Sequence, residues 1–337
     1  MSLPTVPLGR TDMSITRVGF GAWAVGGGGW KFGWGAADDD ESVRAVRFAV
    51  DSGLNWVDTA PVYGLGHSEE VVGQALKGIP EPDRPYVFTK CGLVFDRAHP
   101  DEGPHNVLAA ASIRREVEDS LRRLGVDRID LYQVHWPPED GTALADYWAT
   151  MLDLKTEGKV RAVGMSNHDV GQLAAAEKLG HVDSLQPPFS LIHRGLAEEL
   201  LPWCESNGTG VIVYSPMQAG LLTGAMNAER VAALPEDDWR ATHPDFTDGL
   251  DANLGLAGAL QPVAERHGVS RAAVAVAWTL AWPGVTGAIV GARRPAQISD
   301  WLPAATLRLT EEDLDELARA VAGTGAGEGP LRPSQAA

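Results

Sequence analysis

The chain has 337 residues, 44% of them hydrophobic, 22% charged and 7% aromatic, which suffices for a large core and excludes global disorder. At roughly 150 residues per domain this length suggests two domains, but an α/β barrel of about 250 residues or more is a single unit. The 45 acidic residues against 28 basic ones give a net charge of −17, which repels phosphate backbones and anionic surfaces and argues against nucleic-acid and membrane partners.

No apolar run reaches the length of about 18 residues that a membrane helix needs. The opening MSLPTVPLGRTDMS lacks the apolar core of a secretory signal. Two cysteines, Cys91 and Cys204, are too few for a disulfide framework or a thiolate zinc site. These features predict a cytoplasmic protein without a metal.

In chain order, residues 4–18 read as a hairpin, Val6 to Gly9, a polar turn at Arg10–Asp12, then Ile15 to Val18. It could plug the bottom of a barrel. Eight short apolar runs follow: Val18–Gly21, Trp56–Val57, Tyr86–Thr89, Ile129–Val134, Ala162–Met165, Ser184–Leu185, Val211–Tyr214 and Ala288–Val290. Their β-branched, non-alternating character predicts strands buried on both faces. Amphipathic stretches at 41–52, 69–77, 112–124, 143–157, 169–179, 195–206 and 270–281 alternate with them, with Ser112 expected to cap the third helix. Eight such units predict a (β/α)8 barrel of the TIM type. Its single domain is expected to span 1–322 and to end in a helical or loose C-terminal segment, with a loose Gly/Pro-rich tail over 323–337.

In such a barrel, chemistry sits where strands end. Asp58 ends the second strand, Lys90 the third and His135 the fourth, and Tyr63 lies in the loop after Asp58. Only six of the basic residues are lysines (31, 77, 90, 155, 159, 178), so one at the end of an apolar strand stands out. A buried ammonium needs an anion, and Asp58 is on the adjacent strand. An ammonium beside a phenol is expected to lower the phenol pKa from about 10. A tyrosine so tuned can transfer a proton, and His135 can orient a carbonyl oxygen. Each residue has a plainer reading: Asp58 a loop acid, Tyr63 a turn aromatic, Lys90 a snorkelling side chain, His135 a structural histidine. Their places at successive strand ends favour the joint reading.

Trp23, Trp30, Trp34 and Trp136 fall in or beside loops of the same face and are expected, with Tyr63 and His135, to line a substrate pocket. Trp56, Trp278 and Trp282 read as core. Gly19 to Ala24 fits the loose pattern G-x-G-x-x-A, but no helix follows until about Glu41, so it is not a dinucleotide fingerprint. His193 and Arg194 read equally as ligand contacts or a structural ion pair, and Cys91 as a buried thiol. No coiled-coil signal fixes an oligomeric state.

The run Asp58-Thr59-Ala60-Pro61-Val62-Tyr63-Gly64, continuing through His67-Ser68-Glu69-Glu70, resembles the signature of the aldo-keto reductase superfamily. So do Leu131-Tyr132-Gln133-Val134-His135-Trp136-Pro137, Gly158 to Asn167 and Val211 to Pro216. The likeness runs from about residue 5 to 320 and is strongest to bacterial general-stress and inositol-operon-type reductases, which are similar to potassium-channel β subunits.

The resemblance implies an NADP(H)- or NAD(H)-dependent enzyme acting on a small carbonyl or alcohol substrate. Tyr63 would be the general acid, with Lys90 and Asp58 tuning it. The nicotinamide would stack on Tyr214, its amide held by Ser166, Asn167 and Gln186. Gly21, Ala22 and Trp23 would line the cofactor beside Asp58, and Ser215, Pro216, Met217, Gly220 and Leu221 would cover its pyrophosphate. Gly291, Arg293, Gln297 and Asp300 match the adenosine-phosphate segment. Relatives often carry Lys at the position of Gly291 and Arg at that of Gln297. Here Arg293 and Arg294 supply the only positive charge, which favours NADP(H) through phosphate recognition and leaves NAD(H) open. Two other readings stay open: an NAD-dependent aldose or alcohol dehydrogenase, and a nucleotide-binding regulatory subunit that senses redox state.

Overall fold

The structure, a computed structural model, describes residues 3–139, 141–235 and 238–333. Strands β1 (Thr5–Pro7) and β2 (Ser14–Thr16) form an antiparallel hairpin. Eight parallel strands then close a barrel: β3 (Val18–Gly21), β4 (Trp56–Asp58), β5 (Tyr86–Cys91), β8 (Ile129–Val134), β9 (Val160–Ser166), β10 (Ser184–Gln186), β11 (Gly210–Val213) and β12 (Val285–Gly291). The hairpin of β6 (Leu93–Val94) and β7 (His105–Asn106) interrupts the path from β5 to β8. This is the (β/α)8 architecture that the alternating pattern predicts.

Around the barrel stand α1 (Asp39–Asp51), α2 (His67–Leu76), α3 (Ala110–Leu124), α4 (Leu144–Thr156), α5 (Val170–Glu177) and α6 (Leu196–Asn207). They are followed by α7 (Ala228–Ala232), α8 (Leu250–Ala259), α9 (Gln261–His267), α10 (Arg271–Leu280), α11 (Pro295–Trp301) and α12 (Glu311–Thr324). The acidic run at residues 38–41 is the start of α1, where Asp38 accepts from the Glu41 N–H and carboxylates favour the helix dipole. Among the described residues no helix is long and apolar enough to cross a membrane.

The barrel interior is layered. Its lower part is apolar, with Trp56, Phe88, Leu131, Ala162, Ile212 and Ile289 packed together. Leu8, Met13 and Ile15 of the N-terminal hairpin join the same cluster. The hairpin therefore does plug the barrel, and the Trp56 indole N–H is satisfied by the Thr16 carbonyl at 2.8 Å. The upper part is polar. Register places Gly21 opposite Asp58 and Lys90 opposite Gln133, so the strand ends carrying the candidate residues are adjacent.

Two local expectations are corrected. Helix α3 begins at Ala110, so Ser112 sits inside it and its hydroxyl donates to Glu116 at 3.2 Å instead of capping the end. Helix α12 supplies the helical part expected of the C-terminal segment, and Thr310 and Asp313 form a capping box at its start. The tail, expected to be loose from residue 323, is docked through Pro333 in its described part. The buried Arg194 guanidinium donates to the carbonyls of Leu191, of Ala326 at 3.0 Å and of Pro330 at 3.1 Å. Arg332 pairs with Glu311 and Asp315 of α12. Composition suggested freedom, but carbonyls without a repeating ladder found one buried cation to bind. Residues 334–337 lie outside the described residues.

Removing a charged donor from buried carbonyls is costly, so Arg194→Met should lower stability by at least about 2 kcal/mol. Ending the chain after Gly325 should cause a comparable loss. Urea unfolding midpoints check both, and unchanged midpoints would show that tail docking adds nothing.

Candidate active site

Asp58, Lys90 and His135 stand at the C-terminal ends of neighbouring barrel strands, and Tyr63 reaches them from the turn after β4. That turn is pinned by close backbone packing. Gly64 has φ +61°, and a Cβ there would lie 2.0 Å from the Gly26 carbonyl oxygen, so no larger residue fits. The Lys90 ammonium donates to Asp58 Oδ1 at 2.6 Å and to the Thr59 carbonyl at 2.9 Å, and lies 3.5 Å from the Tyr63 hydroxyl. Both members of the pair are buried. The second carboxylate oxygen of Asp58 accepts from Gln186 at 2.9 Å and Gln133 at 3.3 Å. The Tyr63 ring stacks on Trp23 (6.0 Å between centroids, 25°) and meets His135 edge-on (5.7 Å, 82°).

The electrostatics correct one expectation. Lys90 does not bring the Tyr63 phenol down. Burial, followed by the negative charge of Asp58, holds its pKa well above 10. The ammonium is itself pulled down by burial, with Asp58 opposing that shift. His135 is held well below the usual histidine range by burial and then by Lys90, so its imidazole is neutral. The site thus presents a protonated phenol and a neutral imidazole side by side.

Above them opens a cavity of about 850 Å³, within the range of a ligand site. It runs from Gly21, Ala22 and Asp58 past Tyr63 and His135 to Ser166, Asn167, Gln186 and Tyr214. From there it passes Ser215, Pro216, Met217 and Gly220 and reaches Gly291, Arg293 and Gln297. The polar residues among these are already networked. Ser166 Oγ donates to the Gln186 carbonyl at 2.8 Å, Asn167 Nδ2 to the His135 carbonyl at 3.0 Å, and the Tyr214 hydroxyl to Asn167 Oδ1 at 2.9 Å. At Gly220 a Cβ would meet nothing within 4 Å. This leaves a cradle where a ligand can approach the backbone.

Trp23, Trp30, Trp34 and Trp136 also line this cavity. Three sequence candidates do not. Lys90 lies beneath Tyr63, Leu221 is fully buried in the main core, and Asp300 is an exposed residue of α11 whose carbonyl accepts from Ser270. Arg293 borders the cavity, but its guanidinium donates to the carbonyls of Trp34 at 3.0 Å and of Ala36. Gln297 Oε1 accepts from the Arg293 N–H at 2.8 Å. His193 is engaged with Asp245 at 2.8 Å and Arg194 with the tail, so both are structural. Cys91 is a buried free thiol whose pKa burial pushes up.

Sequence reasoning did not single out Arg240, Met226, Leu93 or Asn106, which also border the cavity. Nor did it single out Trp239, which stacks on Trp23 (5.9 Å, 19°) while Arg240 lies 4.9 Å above Trp34. The adjacent Trp239-Arg240 pair in a long loop was the available signal. Among the described residues no group of three or more His, Cys, Asp or Glu could hold a metal ion.

Residues 17–322 match the model of the Aldo/keto reductase family. An NADH-specific methylglyoxal reductase of Escherichia coli (strain K12) is 36% identical over 318 residues, covering 91% of this chain and 95% of that protein. The solved structure of a glycerol dehydrogenase, AKR11B4 from Gluconobacter oxydans, is 37% identical, with a TM-score of 0.85 and 100% of both chains covered. An aldo/keto reductase from Klebsiella pneumoniae, solved in complex with NADP and acetate, is 27% identical with a TM-score of 0.70, covering 96% of this chain and 94% of that one.

Each half of a buried ion pair is costly without the other. Asp58→Asn and Lys90→Met should each destabilise the protein by about 3–5 kcal/mol, and the double variant by less than their sum. Denaturant unfolding of the three variants reads this. Simple additivity would mean that the two groups do not act as a pair.

Proposed function

Because the chain belongs to the aldo/keto reductase family and is a nicotinamide-dependent carbonyl oxidoreductase, we propose that it reduces an aldehyde or ketone reversibly, with NADP(H) preferred and Tyr63 as the general acid. The observation that carries this reading is the Tyr63 hydroxyl, beside neutral His135 and over the Lys90–Asp58 pair, in the wall of a cavity of about 850 Å³. The nicotinamide supplies the hydride when bound. Tyr63 holds the proton that the reduced oxygen needs, and its raised pKa keeps that proton in place. His135 donates to the same oxygen and fixes its direction. Lys90 stabilises the phenolate left after the proton moves, and Asp58 holds Lys90 in line.

Tyr214 and the Ser166–Asn167–Gln186 network form the wall for the nicotinamide. Met217 and Gly220 cover the pyrophosphate region. Trp23, Trp30, Trp34 and Trp136 form the carbonyl pocket and suit an apolar or aromatic-faced substrate. Two buried free thiols support a reducing, cytoplasmic setting.

Arg293, which borders the far end of the groove, and its exposed neighbour Arg294 support NADP(H). A second reading has support of its own. The Arg293 guanidinium is already engaged with two carbonyls, and Arg294 lies 3.7 Å from Glu41. Both features favour NAD(H) and, with it, alcohol oxidation. The ratio of kcat/KM for NADPH and NADH decides between them, with a ratio above one supporting the first.

Tyr63→Phe should lower turnover of an aryl aldehyde by at least about 10²-fold, the scale for losing a general acid. Equal turnover in both proteins would overturn the assignment. The sign of the shifts also sets a pH profile. A phenol pKa raised above 10 leaves the acid form intact below it, and a histidine lowered below 6.5 is neutral above it. The kcat for reduction should therefore stay level between about pH 7 and about pH 9. A fall across that interval would show that a group with an ordinary pKa limits the step.

A further inference from the structure

The segment 27–36 carries three aromatic side chains of the cavity wall, Trp30, Phe32 and Trp34, yet contains no helix or strand. Six of its ten residues are not bulky enough to anchor it, five being glycine. Its ends cross where Gly28 packs on the Gly35 backbone, at a separation that leaves 2.8 Å for a Cβ. Inside, the only backbone hydrogen bonds found among the described contacts are Gly33 N–H to Trp30 at 3.0 Å and Trp34 N–H to Gly27 at 3.4 Å. A loop this poor in internal bonds needs an external tie to hold its aromatic residues in one place.

Arg293 supplies that tie. It stands just beyond β12, where Gln297 fixes its backbone N–H. Its guanidinium reaches across the groove to two carbonyls of the same loop, Trp34 at 3.0 Å and Ala36. A planar fork suits two nearby acceptors, whereas an ammonium on a flexible stem does not hold both in fixed directions. The Trp34 ring, on the other side of its tethered carbonyl, meets Trp23 edge-on at 5.3 Å and Trp239 edge-on at 5.8 Å, under the Arg240 guanidinium. Trp34 is thus fixed by its backbone from the nucleotide end of the groove and by its ring from the carbonyl end.

We infer that Arg293 is a positioning residue for the carbonyl pocket: it clips the 27–36 loop to the end of β12 and so couples the adenosine end of the groove to the aromatic wall that meets the substrate. This deepens the reading proposed above and rests on it only for the substrate side. The clip itself is read without turnover.

Lys31 lies exposed inside the loop, so trypsin reports its opening directly. With neither nucleotide nor substrate present, Arg293→Met and Arg293→Lys should both be cut after Lys31 roughly tenfold faster than the unaltered protein, the scale expected for losing charged hydrogen bonds from a local closure. Mass spectrometry identifies the cut, and an unchanged thermal midpoint separates local opening from unfolding. In turnover at saturating nucleotide, both variants should raise KM for the carbonyl roughly tenfold, whatever they do to NADPH affinity. Unchanged cleavage at Lys31, or a loss confined to NADPH affinity, would overturn the clip and return Arg293 to the role of phosphate contact. If the unaltered protein turns over no carbonyl, the proposed function fails while the cleavage result still decides the clip.

Discussion

The 2.6 Å contact between Lys90 and Asp58 is the constraint on which the site depends. Neither charge could remain in the barrel alone, because burial without a partner costs several kcal/mol per ion. The barrel top answers by saturating both groups. Lys90 also donates to the Thr59 carbonyl, and the free oxygen of Asp58 takes N–H groups from Gln133 and Gln186. These donors come from β8 and β10, so strands on different sides of the barrel converge on one carboxylate. The apolar layer below, completed by the N-terminal hairpin, keeps water away from the pair from beneath.

The same pair explains the phenol. Lys90 lies 3.5 Å from the Tyr63 hydroxyl, but Asp58 holds that ammonium and its own negative charge acts against the phenolate. Burial is the larger cause, and both favour the neutral phenol. An ammonium alone would have made an easily ionised tyrosine that surrendered its proton before the substrate arrived. An ion pair instead keeps the proton in place while leaving a cation positioned to stabilise the phenolate once the proton has gone. This is stabilisation of a charge that develops in the reaction rather than one present at rest.

The strands were legible because burial on both faces leaves a local imprint, a short β-branched run bounded by turns. The residues at their ends were legible because the barrel makes strand ends the place for chemistry. The elements that escaped are those whose reason is remote. Leu221 follows residues that do line the groove, but its own side chain turns into the core, which no local pattern records. Asp300 falls on the outer side of a short helix. The tail reads as loose because its composition is, and its anchor, Arg194, lies more than 130 positions away. The Arg293 contacts span more than 250. Tyr63 itself was legible in place but not in its pKa, because the sign depends on how two opposed charges and burial balance in space.

The groove wall opposite the aromatic loop is held by a different device. Ser215, Gln218 and Ala219 have φ of 56°, 45° and 49°, a left-handed conformation that costs non-glycine residues of order 1–3 kcal/mol each. Such a turn persists only if its surroundings fix it. Asp245 does so: it accepts from Gln218 at 2.6 Å and from His193 at 2.8 Å, while its own carbonyl takes the Asn253 amide at 3.0 Å. The strained turn faces the groove and the hub stands behind it, bound to the barrel through His193 and to α8 through Asn253. The ordering cost of this wall is therefore met on folding rather than on binding. A ligand entering the groove meets a turn already shaped, with Gly220 left open toward it. The two walls divide the work: one is preset by strain and a carboxylate hub, the other by a guanidinium across the groove. The barrel between them carries the ion pair on strands β4 and β5, and the phenol is held over that pair by the turn after β4, which packs too closely on Gly26 for any residue larger than Gly64.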